Sequence, residues 1–169
     1  MLTAEQIVES LQLEKHVEGG YFKRTYASVK KSDPNNLDSH AYMSSIYYLL
    51  TDESMLSYFV INKSDLILYY HGGSPLEVIF IHPSGEVETK ILGLDVMNGA
   101  APQCFCPAGV CKAYRMVGGD YCLISEAVCP EFKYEDMQMV SAEDVLNSTG
   151  VTASQLADYS NLFAGNDNK

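Results

Sequence analysis

The sequence predicts an all-β protein: a barrel or sandwich of short antiparallel strands, with one short helix before it and helices after it. Between residues 41 and 140, short segments rich in β-branched and aromatic residues follow one another. Tight turns such as His82-Pro-Ser-Gly85 and Gly118-Gly-Asp120 separate them. No helical pattern interrupts this series, which argues against a parallel α/β sheet.

The two ends of the chain predict helices. Thr3-Ala-Glu-Gln6 is a capping box followed by apolar residues at helical spacing, which predicts a helix over residues 3–13. Near the other end, Ser141 and Thr152 are N-cap residues that predict helices over about 141–165. The second is followed by an apolar stripe that we expect to dock on the barrel: Leu156, Tyr159, Leu162 and Phe163.

The chain is expected to form a single domain over residues 1–169, with the barrel over about 20–140. A chain of this length can bury a core of its own, and no linker divides it. The polar stretch 30–40 is rich in turn formers and predicts a mobile loop.

Composition excludes several classes of function. The net charge of -11 argues against a nucleic-acid surface, which needs clustered Lys and Arg. The start lacks a signal-peptide pattern, and no apolar run is long enough to span a membrane, so we expect a cytoplasmic protein without membrane contacts. Five cysteines without a C-x-x-C pair indicate reduced, mostly buried thiols, in preference to a zinc site at Cys104, Cys106 and Cys111.

Several motifs follow one another in a fixed order: His16-x-Glu-Gly-Gly-Tyr-Phe22, Ser64-Asp65, Gly73-x-Pro-Leu76, Pro102-Gln103, Pro107-Ala-Gly-Val110 and Phe132-x-x-Glu-Asp136. In this order they resemble an uncharacterised branch of the cupin superfamily, related in fold to the dTDP-sugar epimerases and seed-storage barrels. The resemblance covers roughly residues 5 to 165. It implies a small jelly-roll barrel and a homodimer with strands exchanged or shared across the interface.

The chain departs from the cupin pattern where a metal would be held. Cupins carry two histidines one residue apart, a glutamate four residues later, and a third histidine in the second motif. The corresponding positions here are Val60, Asn62, Leu66 and Lys112. Valine and leucine supply no donor atom and a protonated lysine repels a cation, so we expect no metal centre and no other cofactor.

Candidate ligand-binding residues lie at the glycine bend and on the strand after it. Glu18 can act as an acid or base at the barrel mouth, with Tyr21 and Arg24 positioning an anionic ligand. The alternative is that Glu18 only bonds backbone N–H groups around the bend.

Further candidates come from the barrel strands. Lys112 is expected to point into the barrel, where it can hold a carboxylate or phosphate or serve as a base; a lysine reaching to water from the rim is the alternative. Tyr58 and Tyr70 share the inward parity of Asn62 and can stack on a sugar or fill the space left by the metal. Gln103 is a further candidate for the lining.

Three functions remain open. The first is a metal-free cupin that binds a small, anionic or sugar-like ligand in its barrel. The second is a metal-independent sugar-nucleotide isomerase or epimerase, which requires a carboxylate-supported base and a tyrosine acid facing one cavity. His16 or His71 beside Glu18 or Asp65 would supply the base. The third is a non-catalytic scaffold with a filled barrel.

Overall fold

The computed structural model describes residues 2–31, 33, 35–36 and 39–164, so residue 165 of the predicted C-terminal helices and residues 32, 34, 37 and 38 of the predicted loop lie outside it. The described chain contains eleven strands and three α-helices. The strands are β1 (Glu14–Lys15), β2 (Tyr21–Ala27), β3 (Ser44–Thr51), β4 (Leu56–Asn62), β5 (Asp65–Gly73), β6 (Leu76–Ile81), β7 (Val87–Leu92), β8 (Gln103–Cys106), β9 (Cys111–Met116), β10 (Tyr121–Cys129) and β11 (Met137–Met139). The helices are α1 (Ala4–Leu11), α2 (Ala142–Ser148) and α3 (Ala153–Leu156), and 3₁₀ turns occupy Val96–Asn98, Tyr134–Asp136 and Ala157–Leu162.

The strands form two antiparallel sheets. The six-stranded sheet has the order β1-β2-β3-β10-β5-β8, and the five-stranded sheet has the order β11-β4-β9-β6-β7. Neighbours in each sheet are often distant in sequence, as when β10 lies between β3 and β5. These crossovers are typical of a jelly roll.

The apolar residues sort into three layers. The largest cluster fills the space between the two sheets and includes Leu68, Phe80 and Tyr114. Strand β10 shows why this happens, since every second residue from Cys122 to Val128 is buried and the intervening ones are not.

The helices cover the outer faces. Helix α1 packs Ile7 against Leu49 on the outside of the six-stranded sheet. The C-terminal helices pack on the outside of the five-stranded sheet, where the rings of Phe59 and Phe163 lie 4.8 Å apart. The capping boxes at Thr3, Ser141 and Thr152 all form, and each fixes where a helix begins. None of the described helices is long and apolar enough to cross a membrane.

Candidate functional site

A cavity opens into the barrel at the end of the six-stranded sheet where β2 meets the bend at residues 16–20. Its empty volume is about 520 Å³ with the open mouth included, of which about 50 Å³ lies far enough from every atom to hold the centre of a water molecule. The walls are largely apolar, with Ile46, Leu66 and Val128 among them. A histidine, a lysine and two carboxyl groups also face this space: His16, Glu18, Lys112 and Glu126.

The Gly19-Gly20 bend fixes the first two of these side chains. Gly19 has a φ of +106°, and a Cβ there would lie 2.3 Å from the carbonyl oxygen of Leu56, so only glycine fits. The hydroxyl of Tyr48 donates to the carbonyl oxygen of Gly19 at 2.6 Å. The backbone N–H of Tyr58 donates to the carbonyl oxygen of Glu18 at 2.8 Å. The bend is thereby tied to both sheets, and Glu18 is held inside the barrel.

Glu18 and His16 form a buried pair. The hydroxyl of Ser57 donates to Oε2 of Glu18 at 3.3 Å, and Oε1 lies 4.0 Å from Nδ1 of His16. The backbone N–H of Glu18 donates to the same Nδ1 at 3.2 Å, which leaves the imidazole proton on Nε2. Burial lowers the pKa of His16, so the ring is neutral at pH 7.

Lys112 and Glu126 complete the charged group. Both side chains are buried, at 3% and 8% exposure. The ammonium of Lys112 lies 4.7 Å from the centroid of the Tyr114 ring, and in the described chain it makes no ion pair with a carboxylate. Burial raises the pKa of Glu18 and of Glu126, while the charge of Lys112 lowers both. Two carboxyl groups thus share one nearby cation.

Two buried polar atoms lack partners. Oδ1 of Asn62, a cavity residue only 5% exposed, accepts no hydrogen bond from any described residue. The hydroxyl of Tyr114 also has no partner of ordinary hydrogen-bond geometry, although it lies close enough to Glu126 to lower that carboxyl's pKa. A buried polar group left unpaired costs about 1–3 kcal/mol, so such atoms mark a place where a ligand or water binds.

Aromatic residues and one arginine line the mouth. Tyr134 stacks on His16 with ring centroids 6.4 Å apart, and the ring of Phe132 meets Tyr134 edge-on. The exposed guanidinium of Arg24 donates to the carbonyl oxygen of Phe132 at 2.8 Å. The same segment is held further along by Asp136, whose Oδ2 lies 2.5 Å from Nε2 of His40.

The structure brings four of the eight predicted ligand-binding residues to one cavity. Glu18, Asn62 and Lys112 lie inside it, and Arg24 lies at its rim. Three of the four positions that correspond to cupin metal ligands therefore face this cavity, because Leu66 lines it as well.

The other four predicted residues do not line the cavity, and the reason differs for each. Tyr58 is displaced by a β-bulge: Ser57 pairs with Tyr114 and Val60 with Lys112, so the extra residue turns Ser57 inward in place of Tyr58. Tyr21 packs on the outer face of its sheet beneath α1, since Phe22 takes the inward position.

Tyr70 and Gln103 are the remaining two. Tyr70 packs against the interior cluster, as its parity predicts, but lies four residues beyond Leu66, about 13 Å along the strand. Its hydroxyl donates to the carbonyl oxygen of Gly73, outside the cavity. Gln103 is exposed, because Cys104 and Cys106 are the inward-facing residues of β8.

Glu126 is a buried cavity residue that sequence reasoning missed. It lies on a strand whose alternate residues, Ile124 and Val128, are apolar and buried. A charged residue whose side chain points to the same buried face of a strand is rarely without a partner. That break in the apolar pattern was the available signal.

The side chains of the cavity do not fit a cupin metal. Val60 and Leu66 have no donor atom, and Lys112 places a positive charge where a ligand would be. Within the described residues, no group of three or more His, Cys, Asp and Glu side chains is placed to hold a metal ion. Cys104 and Cys106 belong to the interior cluster and Cys111 to the cluster outside the five-stranded sheet, so these three thiols do not converge.

Comparisons with known proteins agree with the fold and the motifs. Residues 5–140 match the family described as Cupin superfamily (DUF985). The chain is 33% identical over 156 residues to uncharacterized protein YML079W of Saccharomyces cerevisiae, covering 84% of this chain and 77% of the yeast protein.

Solved structures give the same answer. Protein SO0799 from Shewanella oneidensis superposes with a TM-score of 0.86 at 32% identity, covering 96% of this chain and 98% of the other. A mutant oxalate decarboxylase from Bacillus subtilis superposes with a TM-score of 0.53 at 12% identity, covering 85% of this chain and 36% of that one, a likeness that shows the fold alone. The jelly-roll prediction is confirmed, and the chain belongs to the Cupin superfamily (DUF985) family.

Proposed function

We propose that this cupin binds a small polar ligand in its barrel without a transition metal. The observation that carries the proposal is that Oδ1 of the buried Asn62 accepts no hydrogen bond from any described residue, and that the buried Lys112 faces the same cavity. A scaffold with a filled barrel would have no reason to keep such groups, since apolar residues of similar size are at least as stabilising in a core.

The test is native mass spectrometry of the purified protein, with metal analysis of the same sample. We expect a small molecule that is retained by the wild type and by Lys30→Met, an exposed-lysine control, and lost in Lys112→Met. Asn62→Leu, which keeps Lys112 in place, is expected to weaken retention as well. A ligand retained equally by both cavity variants, or a stoichiometric transition metal, would overturn the proposal.

A metal-independent isomerase or epimerase is the second candidate. The observation that favours it is that two titratable side chains, His16 and Glu18, face the cavity together, with Oε1 of Glu18 4.0 Å from Nδ1 of His16. The alternative histidine, His71, does not reach the cavity, because it bonds to Ser125 on the outer face of the sheet.

We propose further that the protein is a homodimer formed through the outer face of β5, β8 and β10. Ile67 pairs with Phe105 on one side and with Ala127 on the other, and the next row contains Tyr69 and Ser125. Phe105 is 50% exposed, and neither of these two rows contains a charged side chain, although the chain has a net charge of -11. Asp65, two residues before Ile67 on β5, lies at the margin of this face, so two copies can approach over the two rows with little repulsion. Location in the cytoplasm stays a prediction.

A further inference from the structure

The balance of charge in the cavity limits what can bind there. The inference rests on the ligand binding proposed above. Glu18 and Glu126 are two buried carboxyl groups that face the same cavity as one buried ammonium, that of Lys112. Burial raises the pKa of both carboxyl groups, and the charge of Glu18 raises the pKa of Glu126 further. An anionic ligand would add another negative charge beside them, so the site favours an uncharged ligand over an anion.

The unsatisfied groups limit the ligand's chemistry. Oδ1 of Asn62 only accepts, so the ligand has to offer a hydroxyl or similar donor. The ammonium of Lys112 only donates, so the ligand also has to offer an acceptor oxygen. A compound with a hydroxyl next to a carbonyl satisfies both across two adjacent carbons.

The cavity's size limits the ligand further. About 50 Å³ is open to the centre of a water molecule. Pockets that enclose drug-sized ligands measure roughly 300–1,000 Å³, so the inner space admits only a small compound or part of a larger one. A compound of two to four carbons fits, with any remainder in the mouth between Phe132 and Tyr134.

We propose that the cavity takes small, uncharged hydroxycarbonyl compounds and transfers a proton between their two functional carbons. Glu18, whose carboxylate accepts the Ser57 hydroxyl, is the base, and Glu126 is the acid. Lys112 and the Nε2–H of His16 face the cavity as donors to the ligand's oxygens. Charge that develops on those oxygens is thereby stabilised in a water-poor site.

The step balances without an oxidant or a co-reactant. Glu18 takes the proton from the hydroxyl-bearing carbon, and the two electrons of the broken C–H bond form a C=C bond with the carbonyl carbon. The carbonyl oxygen takes the proton of Glu126, which gives an enediol. In the return step, Glu18 gives its proton to the former carbonyl carbon, and the other hydroxyl returns its proton to Glu126 as the new C=O forms. Both carboxyl groups end as they began, and the product is an isomer.

The experiment is proton NMR of dihydroxyacetone with the protein in D2O. We expect the wild type to accelerate the formation of glyceraldehyde, together with deuterium at carbon wherever Glu18 exchanges its proton with solvent before returning it. Glu126→Gln is expected to lower the protein-dependent rate roughly 100-fold or more, as removal of a general acid does. Glu86→Gln, an exposed-glutamate control, is expected to keep it. Glu18→Gln is a second cavity variant, and circular dichroism checks that each variant is folded.

Ligand-observed NMR in the same samples separates the outcomes. Dihydroxyacetone that binds with neither isomerisation nor exchange overturns the proton transfer and leaves the proposed ligand binding intact. Isomerisation or exchange that survives both cavity substitutions in folded protein also overturns it. Glycolate bound in preference to dihydroxyacetone overturns the uncharged ligand class, as does failure of dihydroxyacetone to bind; the retained-ligand test with Lys112→Met judges ligand binding separately.

Discussion

At the scale of single residues, Lys112 changes the chemistry of the barrel most. It stands where a cupin would carry the histidine of its second motif, on a strand paired with Val60 and Phe80. A histidine there would share a metal with neighbouring ligands, whereas an ammonium needs carboxyl groups nearby to offset its burial. Glu18 and Glu126 supply them.

The same group makes stability depend on pH. Burial raises the pKa of Glu126 above its ordinary value of 4.5, so the folded protein binds that proton more tightly than the unfolded chain. Its stabilising contribution is present below pH 4.5 and is lost as the pH rises through the raised pKa, by about 1.4 kcal/mol for each unit. Glu126→Gln is therefore expected to become more stable relative to wild type as the pH rises through that window.

Urea unfolding over a pH series measures this difference. The free energy of unfolding of Glu86→Gln, whose side chain is exposed, is expected to run parallel to wild type. Curves for Glu126→Gln and wild type that are parallel too would contradict the prediction. His16, Glu18, Lys112 and Tyr114 face Glu126 and are unchanged in this comparison.

At the scale of elements, the glycine bend is the part most sensitive to a single methyl group. In Gly19→Ala the new Cβ meets the Leu56 carbonyl oxygen and the backbone keeps an unfavourable positive φ, so we expect a loss of about 3 kcal/mol or more. Gly109 also has a positive φ, +76°, but has no atom within 4 Å of such a Cβ, so Gly109→Ala is expected to cost about 1 kcal/mol. Chemical denaturation measures both. Equal losses would mean that the contact with β4 contributes nothing.

The C-terminal helices depend on one aromatic contact with the five-stranded sheet. Phe163 is 1% exposed and packs against Phe59, so Phe163→Ala is expected to cost about 3–5 kcal/mol in unfolding free energy. Leu146→Ala, at a side chain 37% exposed on α2, is expected to cost about 1 kcal/mol or less. A small loss for Phe163→Ala would show that the helices contribute little to global stability.

The elements were largely predictable and the register was not. Capping residues, alternation and turn formers determine where helices and strands begin, and these signals are local. A β-bulge leaves no such signal, because one extra residue between Ser57 and Val60 obeys the same propensities as a regular strand. The prediction of Tyr58 in the cavity was wrong for that reason. Lys112 was placed correctly because β9 is regular from Cys111 to Met116.

At the scale of the whole molecule, the distribution of charge predicts how copies meet. Phe105→Glu puts a like charge on each side of the proposed dimer face, and we expect it to yield monomers in analytical ultracentrifugation. Leu94→Glu, at a side chain 69% exposed outside the sheets, is the matched control and is expected to leave the dimer intact. A Phe105→Glu dimer as stable as wild type would exclude this face as the interface.

The five cysteines are expected to react with an alkylating reagent at rates set by how deeply each is buried. Burial raises the pKa of Cys111 and of Cys122 to about 12, and Cys106 is fully enclosed, whereas Cys129 is exposed. An alkylating reagent reaches Cys129 in the native state, because only an accessible thiolate reacts. It reaches Cys104, Cys106 and Cys122 when the barrel opens, and Cys111 when the C-terminal helices leave the outer face of the five-stranded sheet. The slow phases of alkylation therefore report two different openings of the molecule, one at each layer of the core.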